Sequence, residues 1–125
     1  MADDTARILE GEVFEGETFR GGDLAEADLA GKELVRCAFE NVRLTQSRWR
    51  DARLEDCTFD GCELTRIEPG GLLARGVRFV GCKMMGIDWS RVGTFPTLAF
   101  ESCDLRYGSF VSLRLPKLVF DRCNL

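Results

Sequence analysis

The sequence contains no histidine. That removes the commonest general base and every Ser-His or Cys-His nucleophile arrangement. No stretch approaches the roughly 18 apolar residues of a membrane helix. The acidic opening Met1-Ala2-Asp3-Asp4 has no apolar core behind it, so no secretion signal is read there. The expected compartment is the cytoplasm. No Gly-x-x-x-x-Gly-Lys phosphate loop occurs, and Gly70-Gly71 after Pro69 reads as a turn. Six cysteines are present but no Cys-x-x-Cys pair. With no histidine beside them, zinc is not expected, nor is any cofactor. A nucleic-acid binder would show a basic stripe interleaved with aromatics. None is visible, so direct nucleic-acid binding is not expected, and nothing supports an enzyme.

What the chain does have is a beat. Phe14, Phe19, Leu24, Leu29, Leu34, Phe39, Leu44, Trp49, Leu54, Phe59 and Leu64 fall five residues apart. In a chain that is 45% hydrophobic, such a run arises by chance on the order of once in several thousand trials. The beat returns at Phe79, Met84 and Trp89, slips by one residue near Ser90, Arg91 and Val92, and resumes at Phe95, Phe100, Leu105, Phe110, Leu115, Phe120 and Leu125. Two residues before most beats lies a small side chain, as at Gly22, Ala27, Cys37, Ser47, Ala52, Cys57 and Cys62. Neither a helix of period 3.6 nor a strand of period 2 keeps such a pattern on one side. The chain must therefore turn a corner every five residues.

Every fourth beat gives Phe19, Phe39, Phe59, Phe79, Phe100 and Phe120, and the next series gives Leu24, Leu44, Leu64, Met84, Leu105 and Leu125. Four corners make a coil of about 20 residues, and like residues stack between coils, which is a solenoid. Residues 1–11 are expected to be an N-terminal lead-in or cap, and residues 12–125 the solenoid. Glu12 and Lys32 take the small inward position on one face, with Glu17 also inward. Such charges either pair with each other or mark an unclosed first coil, and inward charge blunts a sheet edge. Pro69 and Ala74 keep the beat, so the coil there is expected to stay in register with one distorted side. Cys37, Cys57, Cys62, Cys82, Cys103 and Cys123 all take the small inward position. Free, buried thiols are expected. The sequence stops on a beat at Leu125, so either the chain is cut short or another molecule, a second copy included, is expected to cover the uncapped last coil.

Charge is uneven. Residues 1–63 hold 16 acidic and 8 basic residues, a balance of −8, whereas residues 64–125 hold 5 and 9, a balance of +4. The Asp before a central Leu is expected to cap a turn through backbone amides.

Ala27-Asp28-Leu29-Ala30-Gly31, Gly22-Asp23-Leu24, Cys103-Asp104-Leu105 and Cys123-Asn124-Leu125 resemble units of the pentapeptide-repeat proteins. The resemblance covers roughly residues 12–125. It implies an all-β fold, a right-handed quadrilateral β-helix of five to six coils. Residues 77–89, followed by Phe100-Glu101-Ser102-Cys103-Asp104-Leu105 and Phe110, are similar to the central segment of the topoisomerase-protecting members, the quinolone-resistance and albicidin- and microcin-immunity proteins. That likeness implies a protein partner, DNA gyrase, engaged by a rod resembling duplex DNA. The alternative is a scaffold for another protein partner. By the five-residue phase Asp23, Glu26, Asp28, Glu33, Glu40 and Glu55 point outward and would make the charged contact. Met85 and Tyr107, also outward, would supply an apolar anchor.

Overall fold

A computed structural model describes residues 4–94, 96–110 and 118–125. Its ten strands are short: Val13–Glu15 (β1), Thr18–Arg20 (β2), Glu33–Val35 (β3), Ala38–Glu40 (β4), Arg53–Glu55 (β5), Thr58–Asp60 (β6), Leu73–Arg75 (β7), Val77–Val80 (β8), Leu98–Glu101 (β9) and Leu118–Asp121 (β10). All pair in parallel, in a four-stranded sheet β1-β3-β5-β7 and a six-stranded sheet β10-β9-β8-β6-β4-β2. Two further faces are held by single parallel bridges, such as Asp23 with Arg43 and Asp28 with Arg48. The result is the four-cornered solenoid expected from the period, and the right-handed quadrilateral β-helix that the resemblance implies. Parallel strands rise about 4.8 Å from coil to coil.

The corners explain why five residues suffice for each side. One residue per corner takes a left-handed conformation, including Glu26 (φ 61), Arg36 (φ 52), Asn41 (φ 55) and Asp56 (φ 53). A non-glycine residue there is disfavoured by roughly 1–2 kcal/mol. The ladder offsets this, because corner amides donate to the next coil, as from Glu26 to Thr45 at 2.8 Å and from Arg36 to Glu55 at 2.8 Å. The expected aspartate turns also form. Asp23 Oδ1 accepts from the Ala25 amide at 3.0 Å, and Asp28 Oδ1 from that of Ala30 at 3.1 Å.

Inside, phenylalanine rings stack along the axis. Phe39 and Phe59 lie 4.6 Å apart and within 2° of parallel, and Phe59 and Phe79 lie 5.0 Å apart. Trp49 meets Phe39 and Phe59 edge-on, and Trp89 does the same to Phe79 and Phe100. The cysteines form their own ladder, each Sγ donating to a carbonyl. Cys57 reaches Leu34, Cys62 reaches Phe39, and Cys82 reaches Phe59 at 3.2 Å. All six are free thiols, and five are buried. Cys123 is only half-buried, because the strand before it, β10, is the edge of its sheet.

Both irregularities of the beat meet at one place. Three-residue turn Trp89–Arg91 (η2) absorbs the slip, so the amide of Gly71 donates to Arg91 at 2.8 Å where the preceding coil pairs Asp51 with Gly70. Pro69 is in register and buried but has no N–H to give the Asp88 carbonyl beside it. That carbonyl accepts from Arg91 within η2 instead. The two departures compensate each other. The beats at Phe95 and Leu115 lie outside the described residues.

At the other end, Asp4–Leu9 (η1) packs on β2 with Ile8 fully buried. Thr5 Oγ1 donates to the Arg20 and Gly21 carbonyls at 3.1 and 2.7 Å. Arg7 sits over the Phe19 ring and 3.6 Å from Glu17. Lys32 is buried, and its ammonium donates to the Gly11 carbonyl at 2.6 Å, while the Glu12 side chain is exposed.

Candidate functional site

Each side of a coil presents its outward side chains on either side of the inward beat, so the faces decide which charges meet. The acidic residues expected to make one contact are spread over all four. Asp23 stands on the third face, Asp28 on the fourth, Glu33 and Glu55 on the first, Glu40 on the second, and Glu26 at a corner. Asp23, Glu26, Asp28 and Glu33 are exposed, whereas Glu40 and Glu55 are half-buried.

Most of these carboxylates have cationic neighbours. Asp23 receives Arg43 on both oxygens, at 3.1 and 3.0 Å. The Ala25 amide first, and then Arg43, hold its carboxyl below the usual range. Glu40 pairs with Arg20 at 2.8 Å and Glu55 with Arg53 at 3.1 Å. Along the third face the stacked residues run Asp23, Arg43, Glu63, Lys83, Asp104, alternating in sign at every coil. Opposite charges in adjacent rungs attract, whereas a column of one sign would repel itself. Further along, Arg106 closes a two-bond fork on Asp104 at 2.9 and 2.8 Å, which depresses the carboxyl. Reading every twentieth residue from Asp23, with the one-residue slip added after Lys83, would have exposed the alternation, but the charge totals of the two halves conceal it.

Met85 and Tyr107 do come together. They line one open cleft with Thr45, Gln46 and Thr65, and Tyr107 is 81% exposed. Arg106 donates to the Met85 sulfur at 3.8 Å. A neighbouring cleft on the fourth face is lined by Arg48, Arg50, Arg66 and Arg91. These arginines have no place in the acidic reading. Among the described residues no group of three or more His, Cys, Asp or Glu side chains could hold a metal ion. No helix among them is long and apolar enough to cross a membrane.

Residues 37–67 match the family model described as pentapeptide repeats (8 copies). Residues 37–67 carry pentapeptide repeats. It is 32% identical over 89 residues to Protein McbG of Escherichia coli, covering 70% of this chain and 47% of that protein. The chain thus spans about half the length of this curated relative. A solved structure of full-length QnrB1, described as a plasmid-mediated fluoroquinolone resistance protein, aligns over 90% of this chain and 84% of its own at 12% identity and a TM-score of 0.36. A trypsin-treated form of QnrB1 aligns over 91% of this chain and 84% of its own, at 16% identity and a TM-score of 0.29.

Proposed function

We propose that this chain is a non-enzymatic, protein-binding rod that protects a DNA gyrase-type topoisomerase from inhibitors. The observation that carries the binding role is the architecture itself. Parallel ladders hold the first coil in place, and it presents exposed Asp23, Glu26 and Asp28 across its third and fourth faces. The likeness of residues 77–89 to the topoisomerase-protecting members directs the choice of partner. A gyrase saddle carries Lys and Arg placed for phosphates, and the first coil offers carboxylates to it. DNA mimicry on this reading is confined to the first coil, since from the second coil onward acidic and basic residues alternate along the third face.

That alternation favours the second reading, a scaffold for a protein partner with its own mixed charge. Binding of the purified chain to gyrase at low and high salt separates the two. Mimicry predicts affinity that falls with salt and is lost when Asp23, Glu26 and Asp28 are changed to Lys. Salt-insensitive binding, or full affinity in the charge-reversed variant, rules mimicry out.

A further inference from the structure

The corner between the third and fourth faces carries a surface of opposite character. Two open clefts of about 340 and 330 Å³ meet there, and Arg66 and Gly86 line both. The first exists because a side chain is missing. Arg50, Gly70 and Arg91 hold equivalent places in successive coils, their carbonyls accepting from Gly31, Asp51 and Gly71. A Cβ at Gly70 would meet nothing within 4 Å.

The arginines here are also available. Arg20, Arg36, Arg43, Arg53, Arg78, Arg91, Arg106 and Arg122 each have a carboxylate within ion-pair distance. Arg48, Arg50 and Arg66 have none among the described residues. The cleft's four guanidiniums face two carboxylates, Glu68 and Asp88, which leaves +2. Asp88 is already engaged by the Ser90 amide and hydroxyl and by Arg91 at 3.4 Å.

We propose that this corner docks an acidic segment of a partner protein, with its carboxylates on Arg48, Arg50 and Arg66 and an apolar side chain between Met85 and Tyr107. Guanidinium forks suit carboxylates. Glu68 and Asp88 interrupt the positive surface, which suits spaced carboxylates better than a continuous run of phosphates. Arginine beside methionine and an exposed tyrosine is the composition enriched at protein interfaces. The proposal does not rest on the topoisomerase reading. Loss of gyrase protection with peptide binding intact would sink only that reading.

The test is an amide NMR titration of the full chain with the synthetic peptide Asp-Glu-Phe-Glu-Asp, run beside inorganic phosphate and a short DNA duplex. Saturable shifts are expected at residues 48–50, 66–70, 85–91 and 107. Arg50→Glu with Arg66→Glu should weaken the peptide about tenfold or more. Gly70→Glu, which adds a carboxylate where there is open space, should do the same while its spectrum stays folded. Tyr107→Ala should weaken binding about threefold. No saturable shift, shifts elsewhere, unchanged affinity in Gly70→Glu, or phosphate or duplex binding the same residues as tightly would overturn the proposal.

Discussion

Truncating Phe59 to Ala should be among the most damaging single changes in this chain. The ring is 1% exposed. It stacks on Phe39 at 4.6 Å and Phe79 at 5.0 Å and takes the edge of Trp49 at 6.0 Å. Phe-to-Ala changes in cores cost about 3–5 kcal/mol, with the larger values where the site cannot collapse. Collapse is blocked here, because the strand is tied on both sides, by Thr58 to Cys37 at 3.1 Å and by Gly61 to Val80 at 2.9 Å. The lost aromatic pairs act in the same direction. A cost of about 4 kcal/mol follows, which lowers a urea midpoint by about 2 M or more. Phe120, 37% exposed and at the edge strand, serves as the internal control. Its truncation should cost at most about half as much. Denaturant melts followed by far-UV circular dichroism read both. Phe59→Ala within ~1 kcal/mol of the parent, or Phe120→Ala equally damaging, would refute the ring-stack account.

Ser47 Oγ accepts from the buried Trp49 Nε1 at 2.9 Å, so Ser47→Ala should cost about 1–3 kcal/mol in the same melts. The equivalent place beside Trp89 is Ile87, and Trp89 Nε1 has no partner among the described residues, so Ile87→Ala should lack that hydrogen-bond penalty. Thiol titration should find Cys123 reacting first in native protein and six equivalents after unfolding without reductant. Burial pushes the Cys57 thiol up to about 11, so its alkylation should stay slow at pH 9. Folding depresses the carboxyls of Asp88 and Asp104, the first chiefly through the Ser90 hydroxyl and the second through Arg106. Such groups contribute stability above their unfolded pKa of about 3.9 and lose it as pH falls through the folded value. Urea midpoints should therefore drop below about pH 4, and less so in Asp88→Asn.

The core was legible because burial leaves an unambiguous trace: one large apolar residue every fifth position, a small one two places earlier, and phenylalanine at every fourth corner. The slip was legible too, since Phe79 and Phe100 are 21 positions apart and pair in register. The surface was far less so. Outward positions carry no periodic demand for one residue type, so phase alone said that Asp23 and Glu40 point outward. It did not say that Arg43 and Arg20, one coil away, lie across from them. Adjacent rungs are about twenty residues apart in sequence, and local charge counts blur that separation. The arginine cleft was hidden for another reason. It depends on what is missing at Gly70, and on Arg91 taking the next place in that stack only because η2 absorbs one residue.

The central claim is protection of a topoisomerase by binding, and a supercoiling assay tests it most directly. Purified gyrase, relaxed plasmid and a quinolone are combined with increasing amounts of this chain. The account predicts that supercoiling recovers as the chain is added, and that recovery fails when Asp23, Glu26 and Asp28 are all changed to Lys. Supercoiling that stays inhibited at every concentration, with no binding of the chain to gyrase at low salt, would contradict it.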